Sequence, residues 1–264
     1  MTQNINATSP SDNPEQPPQA VQVEKPAKLA KTKLQKNLYE PYMIPMILWR
    51  LIRGVVRLIV AIILDVHVVG RHNVPETGPL IIASNHLSWA DVPLIPAFLK
   101  RKVVYMAKEE TFQGKMGWLV RFLGAFPVKR GEADRQSLRT AEEQLKAGHI
   151  LGIFPEGTRS KIHKLGKAHS GMGMIALRSG APVLPVAIYG SEKAFKKFRP
   201  RITIIFGEPM ILTPKGKKIT REDIDQSTEQ VMLRISSILP PEYRGVYAEK
   251  LTASEATIKD AATE

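Results

Sequence analysis

The chain contains no cysteine. That single absence removes disulfides, thiolate catalysis and cysteine-based zinc sites. Six histidines remain, but none shows the spacing of a ligand set, so no metal is expected. No G-x-S-x-G elbow is present, which leaves a serine hydrolase without its activated nucleophile. No G-x4-G-K-[S/T] loop is present either, which excludes a P-loop nucleotide enzyme. The opening "MTQNINATSPSDNPEQPPQAVQ" has no apolar stretch of the kind a secretory signal needs, so a cytoplasmic or inner-leaflet location is the expectation. There is no internal repeat. Acidic residues are in the minority: 25 Asp and Glu face 38 Lys and Arg, for a net charge of +13.

Such an excess suits an anionic partner, whether nucleic acid, an anionic membrane or a phosphorylated substrate. The 264 residues, 43% of them hydrophobic, suffice for one large domain or two small ones. Residues 1–38 read as a disordered basic tail: Pro, Gln, Asn and Ser dominate 1–23, and Lys25, Lys28, Lys31, Lys33 and Lys36 then face only Glu24. Residues 39–65 read as a membrane-associated helical segment. Its core, "YMIPMILWRLIRGVVRLIVAIIL", is long enough to span a bilayer. Arg50, Arg53 and Arg57 interrupt it and fall on one helical stripe. Its 13 Leu, Ile and Val residues favour insertion by roughly 0.3–0.6 kcal/mol each, whereas each central arginine opposes it by roughly 2.5–3.5 kcal/mol. The sum is near zero or unfavourable. A helix lying in the interface, with its arginines at the phosphates, satisfies both sets. The alternatives are a single span and a helix packed on the domain. Pro45 and Gly54 are possible breaks into two helices. The lysines cluster beside this segment and no RNA- or DNA-binding signature occurs, so an anionic membrane surface is expected as partner and nucleic acid is not. A non-enzymatic basic binding protein is the rival from another class.

From residue 66 onward, strand and helix patterns alternate. Short β-branched runs occur at 66–70, 79–84, 102–107, 149–154, 182–189 and 201–207. Helical patterns cover 132–148, which stops at Gly148, and 170–180. A third begins at Thr220, where Thr220 and Asp223 form the sequence pattern of a capping box. The alternation predicts a single α/β domain over 66–245, with a largely parallel or mixed β-sheet flanked by helices. An N-terminal membrane-associated helix or helix pair precedes it, and 246–264 follows as a flexible tail.

The run "PLIIASNHLSWADVP" carries the first candidate chemistry. His86 follows a strand, at the sheet edge where open α/β folds bind ligands, and histidine is a base near neutral pH. Asp91 is a possible orienting carboxylate. On a regular helix, residues five apart point in different directions. The two meet only if a turn separates them and the helix begins near Ser88 or Trp89, with Ser88 as N-cap. The spacing is compatible with a dyad without requiring one. "FPEGTRS" (154–160) follows another strand. Gly157 permits close backbone approach, Thr158 offers a hydroxyl, Arg159 offers a planar fork for phosphate, and Glu156 offers a carboxylate for an arginine or a substrate hydroxyl. "GAFPVKRG" (124–131) ends in Lys129 and Arg130, a second possible anion clamp.

Taken in order with "APVLPVAIYG", these blocks resemble the four motifs of the glycerolipid acyltransferases. The similarity is to the PlsC-like 1-acylglycerol-3-phosphate group with its H-x4-D signature, over about residues 40–210. The resemblance implies that His86 is the general base and Asp91 its partner, with Ser88 and Trp89 lining the acceptor pocket. Lys108 matches the family's basic residue after the next strand. Gly124, Phe126 and Arg130, with Glu156, Gly157, Thr158 and Arg159, would bind the acceptor's phosphate and glycerol. Pro182 and Pro185 match the fourth block. One departure is visible: many relatives carry lysine just before the glycine that follows block three, where "GKAHSG" places His169 and Ser170. The implied reaction is direct acyl transfer from an acyl thioester, acyl-CoA or acyl carrier protein, as co-substrate and with no cofactor. The implied acceptor is the sn-2 hydroxyl of 1-acylglycerol-3-phosphate, giving phosphatidic acid, or alternatively another lysophospholipid or lyso-aminolipid. The expected site of action is the cytoplasmic face of the cell membrane, as a monotopic or single-span protein.

Overall fold

A computed structural model describes residues 45–113, 117–128 and 134–253. Seven strands form one sheet in the order β1-β7-β6-β2-β5-β3-β4. They are β1 (Asp65–Val69), β2 (Leu80–Ser84), β3 (Val103–Lys108), β4 (Phe126–Val128), β5 (Ile150–Ile153), β6 (Val183–Tyr189) and β7 (Arg201–Phe206). Every neighbouring pair is parallel except β6 and β7. The mixed sheet expected from sequence is therefore present, with one strand more than the six apolar runs. The extra strand, β4, lies inside "GAFPVKRG". Three residues with a central proline give no periodic signal.

The helices are α1 (Met46–Ile63), α2 (Asp91–Ala97), α3 (Gly117–Phe122), α4 (Arg135–Lys146), α5 (Gly171–Ser179) and α6 (Arg221–Ser237). The capping box at the start of α6 is formed, with Thr220 and Asp223 each accepting the other's backbone N–H. β2 is buried along its whole length, and its alternate side chains enter two cores. Leu80 and Ile82 pack with α1 and α2, whereas Ile81 and Ala83 pack with α4, α5 and α6. Two-sided burial explains why the central strands read as continuous apolar runs.

α1 is unbroken through Gly54, so the expected division into two helices does not occur within it. Val60 is buried in the core it shares with Leu80, Leu94 and Ile95, and Val56 packs against the same core. Arg53 Nη1 donates to the carbonyl of Leu99, and the Arg57 guanidinium lies 5.8 Å from the Phe98 ring centroid. Two arginines of the stripe thus turn toward the protein, Arg53 because the Leu99 carbonyl past the end of α2 takes its N–H, while Arg50 is exposed. The opposite face of α1 stays open, with Leu51 and Leu58 each 64% exposed and Ile47, Val55 and Ile62 beside them. No helix among the described residues is long and apolar enough to cross a membrane. At the other end the domain continues past residue 245. Tyr247 and Leu251 are buried, which moves the start of any tail beyond them. The expected N-terminal tail lies outside the described residues.

Candidate active site

The strand order creates the site. β2 and β5 are neighbours, and the chain leaving β2 passes to one face through α2 while the chain leaving β5 passes to the other through α5. Divergent connections open a crevice at the carboxyl ends of the two strands. The loop 85–90 enters it from β2, and the loop 154–170 enters it from β5.

His86 and Asp91 meet there. His86 Nδ1 lies 2.8 Å from Asp91 Oδ2. The helix begins at Asp91 itself, slightly later than expected, and a turn at 89–90 brings the side chain back. The same Oδ2 accepts the backbone N–H groups of Leu87 (2.7 Å) and Ser88 (2.8 Å). Asp91 is fully buried, and these three contacts to Oδ2 set its orientation, while Oδ1 is buried with no partner among the described residues. With Nδ1–H donating to the carboxylate, Nε2 keeps the free lone pair. The imidazole also stacks on Phe154, with ring centroids 4.0 Å apart, and Phe154 stacks on Tyr105 at 5.7 Å.

The backbone of His86 is held by the facing loop. Its N–H donates to Glu156 Oε1 at 3.0 Å, and its carbonyl accepts Ser160 N–H at 2.8 Å. The second Glu156 oxygen accepts Gly166 N–H at 2.8 Å. Glu156 is therefore a brace between two loops, not the arginine partner that the sequence allowed for. Burial pushes its carboxyl up to about 7, against the lowering effect of its two backbone donors. Gly157 closes the turn by donating to the Phe154 carbonyl at 2.9 Å, with φ +66°. That left-handed conformation favours glycine.

His86 opens into a slot of about 240 Å³ walled by Trp89, Tyr105, Met106, Phe154 and Arg159. Val92, Val120, Leu123 and Ala125 extend its apolar lining, and Lys108, Gly157 and Thr158 stand at its polar side. Lys108 pairs with Glu110 at 2.8 Å. At the mouth, the Arg159 guanidinium lies 4.5 Å from the Trp89 ring centroid. A face-stacked guanidinium keeps its N–H edge available for an anion. A larger cleft, about 580 Å³, lies across the same loop between Lys161, Lys164 and Lys167 and residues 241–248. Four basic and two acidic residues line it, and no imidazole does.

Three expected site residues are placed elsewhere. Phe126 is fully buried in the core beside Leu151 and Ile81, because β4 pairs with β3 and points it inward. Gly124 is a buried turn residue with φ +84°. Ser88 Oγ accepts Ala90 N–H at 3.3 Å and shapes the turn, without capping α2 or lining the slot. Arg130 and Lys129 lie outside the described residues. Sequence reasoning gave no role to Phe154, Tyr105 or Asn85. The last joins the His86 loop to β6 through two 2.8 Å bonds with the backbone of Ile188. Position just past a strand end was the one available signal for it.

Comparison with known proteins identifies the family. A family model described as "Acyltransferase" matches residues 65–189. The 1-acyl-sn-glycerol-3-phosphate acyltransferase of Bacillus subtilis is 33% identical over 176 residues, 66% of this chain and 87% of that protein. The lyso-ornithine lipid O-acyltransferase of Pseudomonas aeruginosa is 35% identical over 112 residues, 42% of this chain and 43% of that protein. The crystal structure of the 1-acyl-sn-glycerophosphate acyltransferase PlsC from Thermotoga maritima superposes with a TM-score of 0.53 at 27% identity, covering 79% of this chain and 81% of that one. With one residue in three shared along most of a relative's length and the same fold beneath, this chain belongs to the acyltransferase family that contains the PlsC-like enzymes.

Proposed function

We propose that this chain transfers an acyl group from an acyl thioester, acyl-CoA or acyl carrier protein, to the free sn-2 hydroxyl of 1-acylglycerol-3-phosphate, forming phosphatidic acid at a membrane surface. The observation that carries the reading is the His86–Asp91 pair, 2.8 Å apart at the inner end of an apolar slot. The acceptor hydroxyl attacks the thioester carbonyl as its proton passes to His86 Nε2. Asp91 stabilises the imidazolium that forms. Collapse of the tetrahedral intermediate breaks the carbon–sulfur bond, and the departing thiolate takes the proton back from His86. Ester and thiol result, and the base is restored. The apolar walls of the slot suit an acyl chain. Arg159, held on Trp89, suits the acceptor's phosphate and would position its hydroxyl. Arg130 is a second candidate for that phosphate. The open apolar face of α1, with the net charge of +13, suits an anionic bilayer from which the acceptor is drawn.

One observation favours a second acceptor, the identity to the lyso-ornithine lipid enzyme. The chemistry at His86 would be unchanged and only the head group would differ. The test is acyl transfer by folded His86→Ala and Asp91→Asn variants with both donors, across a panel of lysophosphatidate, other lysophospholipids and lyso-ornithine lipid, read by product mass. Loss of the base should cost roughly 10²–10⁴-fold in turnover. A His86→Ala enzyme with near wild-type turnover overturns the base assignment. Preference for lyso-ornithine lipid over lysophosphatidate overturns the acceptor alone.

A further inference from the structure

The loop between β6 and β7, "SEKAFKKFRP" (191–200), lies outside the four family motifs. Phe195 and Phe198 are 78% and 77% exposed, among the most exposed large apolar side chains of the described residues. Lys193, Lys196 and Lys197 are exposed between and beside them. Paired aromatics flanked by lysines are a costly surface in water and a fitting one at a lipid interface, where rings enter the headgroup region and ammonium groups meet phosphates.

The loop's position decides the partner. β6 runs parallel to β2, so its carboxyl end stands at the same sheet edge as His86, and β7 starts back from that edge. β1 is parallel to β7, with Asp65 opposite Arg201. The carboxyl end of α1 therefore arrives at that edge as well. Arg199 fastens the two together. Its N–H donates to Ile63 O at 3.0 Å, and its guanidinium donates to Ala61 O and Ile62 O, each at 3.2 Å. A cation on the last carbonyls of a helix is favourably placed. Arg199 holds φ +48° to do this, a conformation uncommon outside glycine. The aromatic–basic loop is thus pinned to the end of the helix whose opposite face is apolar and open.

We infer that residues 193–198 form a second bilayer contact, in which Phe195 and Phe198 enter the interface of an anionic leaflet and Lys193, Lys196 and Lys197 meet its phosphates. This extends the reading of α1 as bilayer-facing and rests on it. A contact along α1 and a second where its carboxyl end meets this loop would fix the orientation of the molecule and hold the mouth of the His86 slot toward the lipid.

The cysteine-free chain makes the test direct. Phe198→Cys, Leu51→Cys on α1 and Gln230→Cys on α6, at the far face of the sheet, each give one labelling site in the full-length protein. An environment-sensitive fluorophore at each is read on vesicles of phosphatidylcholine with phosphatidylglycerol, using nitroxide-labelled acyl chains as quencher. Positions 198 and 51 should blue-shift and quench, and position 230 should not. The Lys196→Glu/Lys197→Glu variant should bind these vesicles roughly tenfold or more weakly than wild type. Quenching at 51 without quenching at 198 overturns the loop contact and leaves the α1 reading standing. Quenching at neither overturns the α1 reading itself. A basic aromatic loop could instead dock an acidic carrier protein. Wild-type vesicle binding by the charge-reversed variant, with loss of transfer from acyl carrier protein but not from acyl-CoA, would assign it so and overturn the proposal.

Discussion

Glu156 shows how much a single carboxylate can connect. Its two oxygens accept N–H groups from His86 and Gly166, so one side chain fixes the base-bearing loop against the basic loop. Burial holds it near 7, above its ordinary 4.5. Between those values the folded chain binds more protons than the unfolded one, and stability falls as pH rises through that window. The contribution is fully present below the ordinary value, lost by about pH 7 and constant beyond. Urea denaturation of wild type and Glu156→Gln across this range should show wild type losing about 3 kcal/mol relative to the variant as pH climbs. A difference that stays flat with pH would show that Glu156 is not the group that titrates. The His86–Asp91 spacing was compatible with a dyad without requiring one, and it was the resemblance of four blocks in order that pointed to the pair. The brace was not legible, because its partners are backbone N–H groups that leave no mark on residue identity. Phe126 was misread for a related reason: the sequence supplied a motif position, and only the pairing of β4 decides which way the ring points.

Elements were legible where their ends carry their own chemistry. Thr220 and Asp223 marked the start of α6 and do cap it, and Gly148 stands just past the end of α4 with φ +77°. What escaped was contact between elements, and two glycines separate these levels. Gly54 sits in α1 with no atom within 4 Å of where a Cβ would stand. Gly173 lies in α5 where α6 crosses, and a Cβ there would fall 2.4 Å from Thr228 Oγ1 and 2.5 Å from the Ile224 carbonyl. In sequence both are simply helix glycines. Gly54→Ala should stabilise the chain by about 0.5–1 kcal/mol through propensity alone. Gly173→Ala should destabilise it by about 1–3 kcal/mol, because a helix backbone cannot move aside as a side-chain tip can. Chemical denaturation midpoints of the two variants check this directly. Effects of the same sign would mean that α5 and α6 do not cross as closely as described.

At the scale of the molecule, charge and amphipathicity were visible from the start, but their orientation was not. Three arginines on one stripe of an apolar helix fit lipid phosphates and a protein surface equally well. The fold resolves this for Arg53 and Arg57, which meet Leu99 and Phe98. That assignment leaves α1 attached through Arg53, Val56 and Val60, with Leu51, Val55 and Leu58 facing outward. A docked helix with an open apolar face should separate membrane binding from folding and chemistry. Leu51→Asp/Leu58→Asp places two carboxylates on the open face and removes no contact with the sheet or with the His86 slot. Partitioning onto vesicles containing phosphatidylglycerol should fall by roughly a hundredfold, since each leucine forfeits its burial in lipid. The thermal midpoint, and acyl transfer to a short-chain lysophosphatidate dissolved as monomer, should stay at wild-type values. Transfer to long-chain acceptor embedded in vesicles should fall with partitioning. If monomeric transfer and thermal stability drop together with vesicle binding, the open face of α1 is covered by protein rather than by lipid, and the seat of the enzyme on the membrane must lie elsewhere.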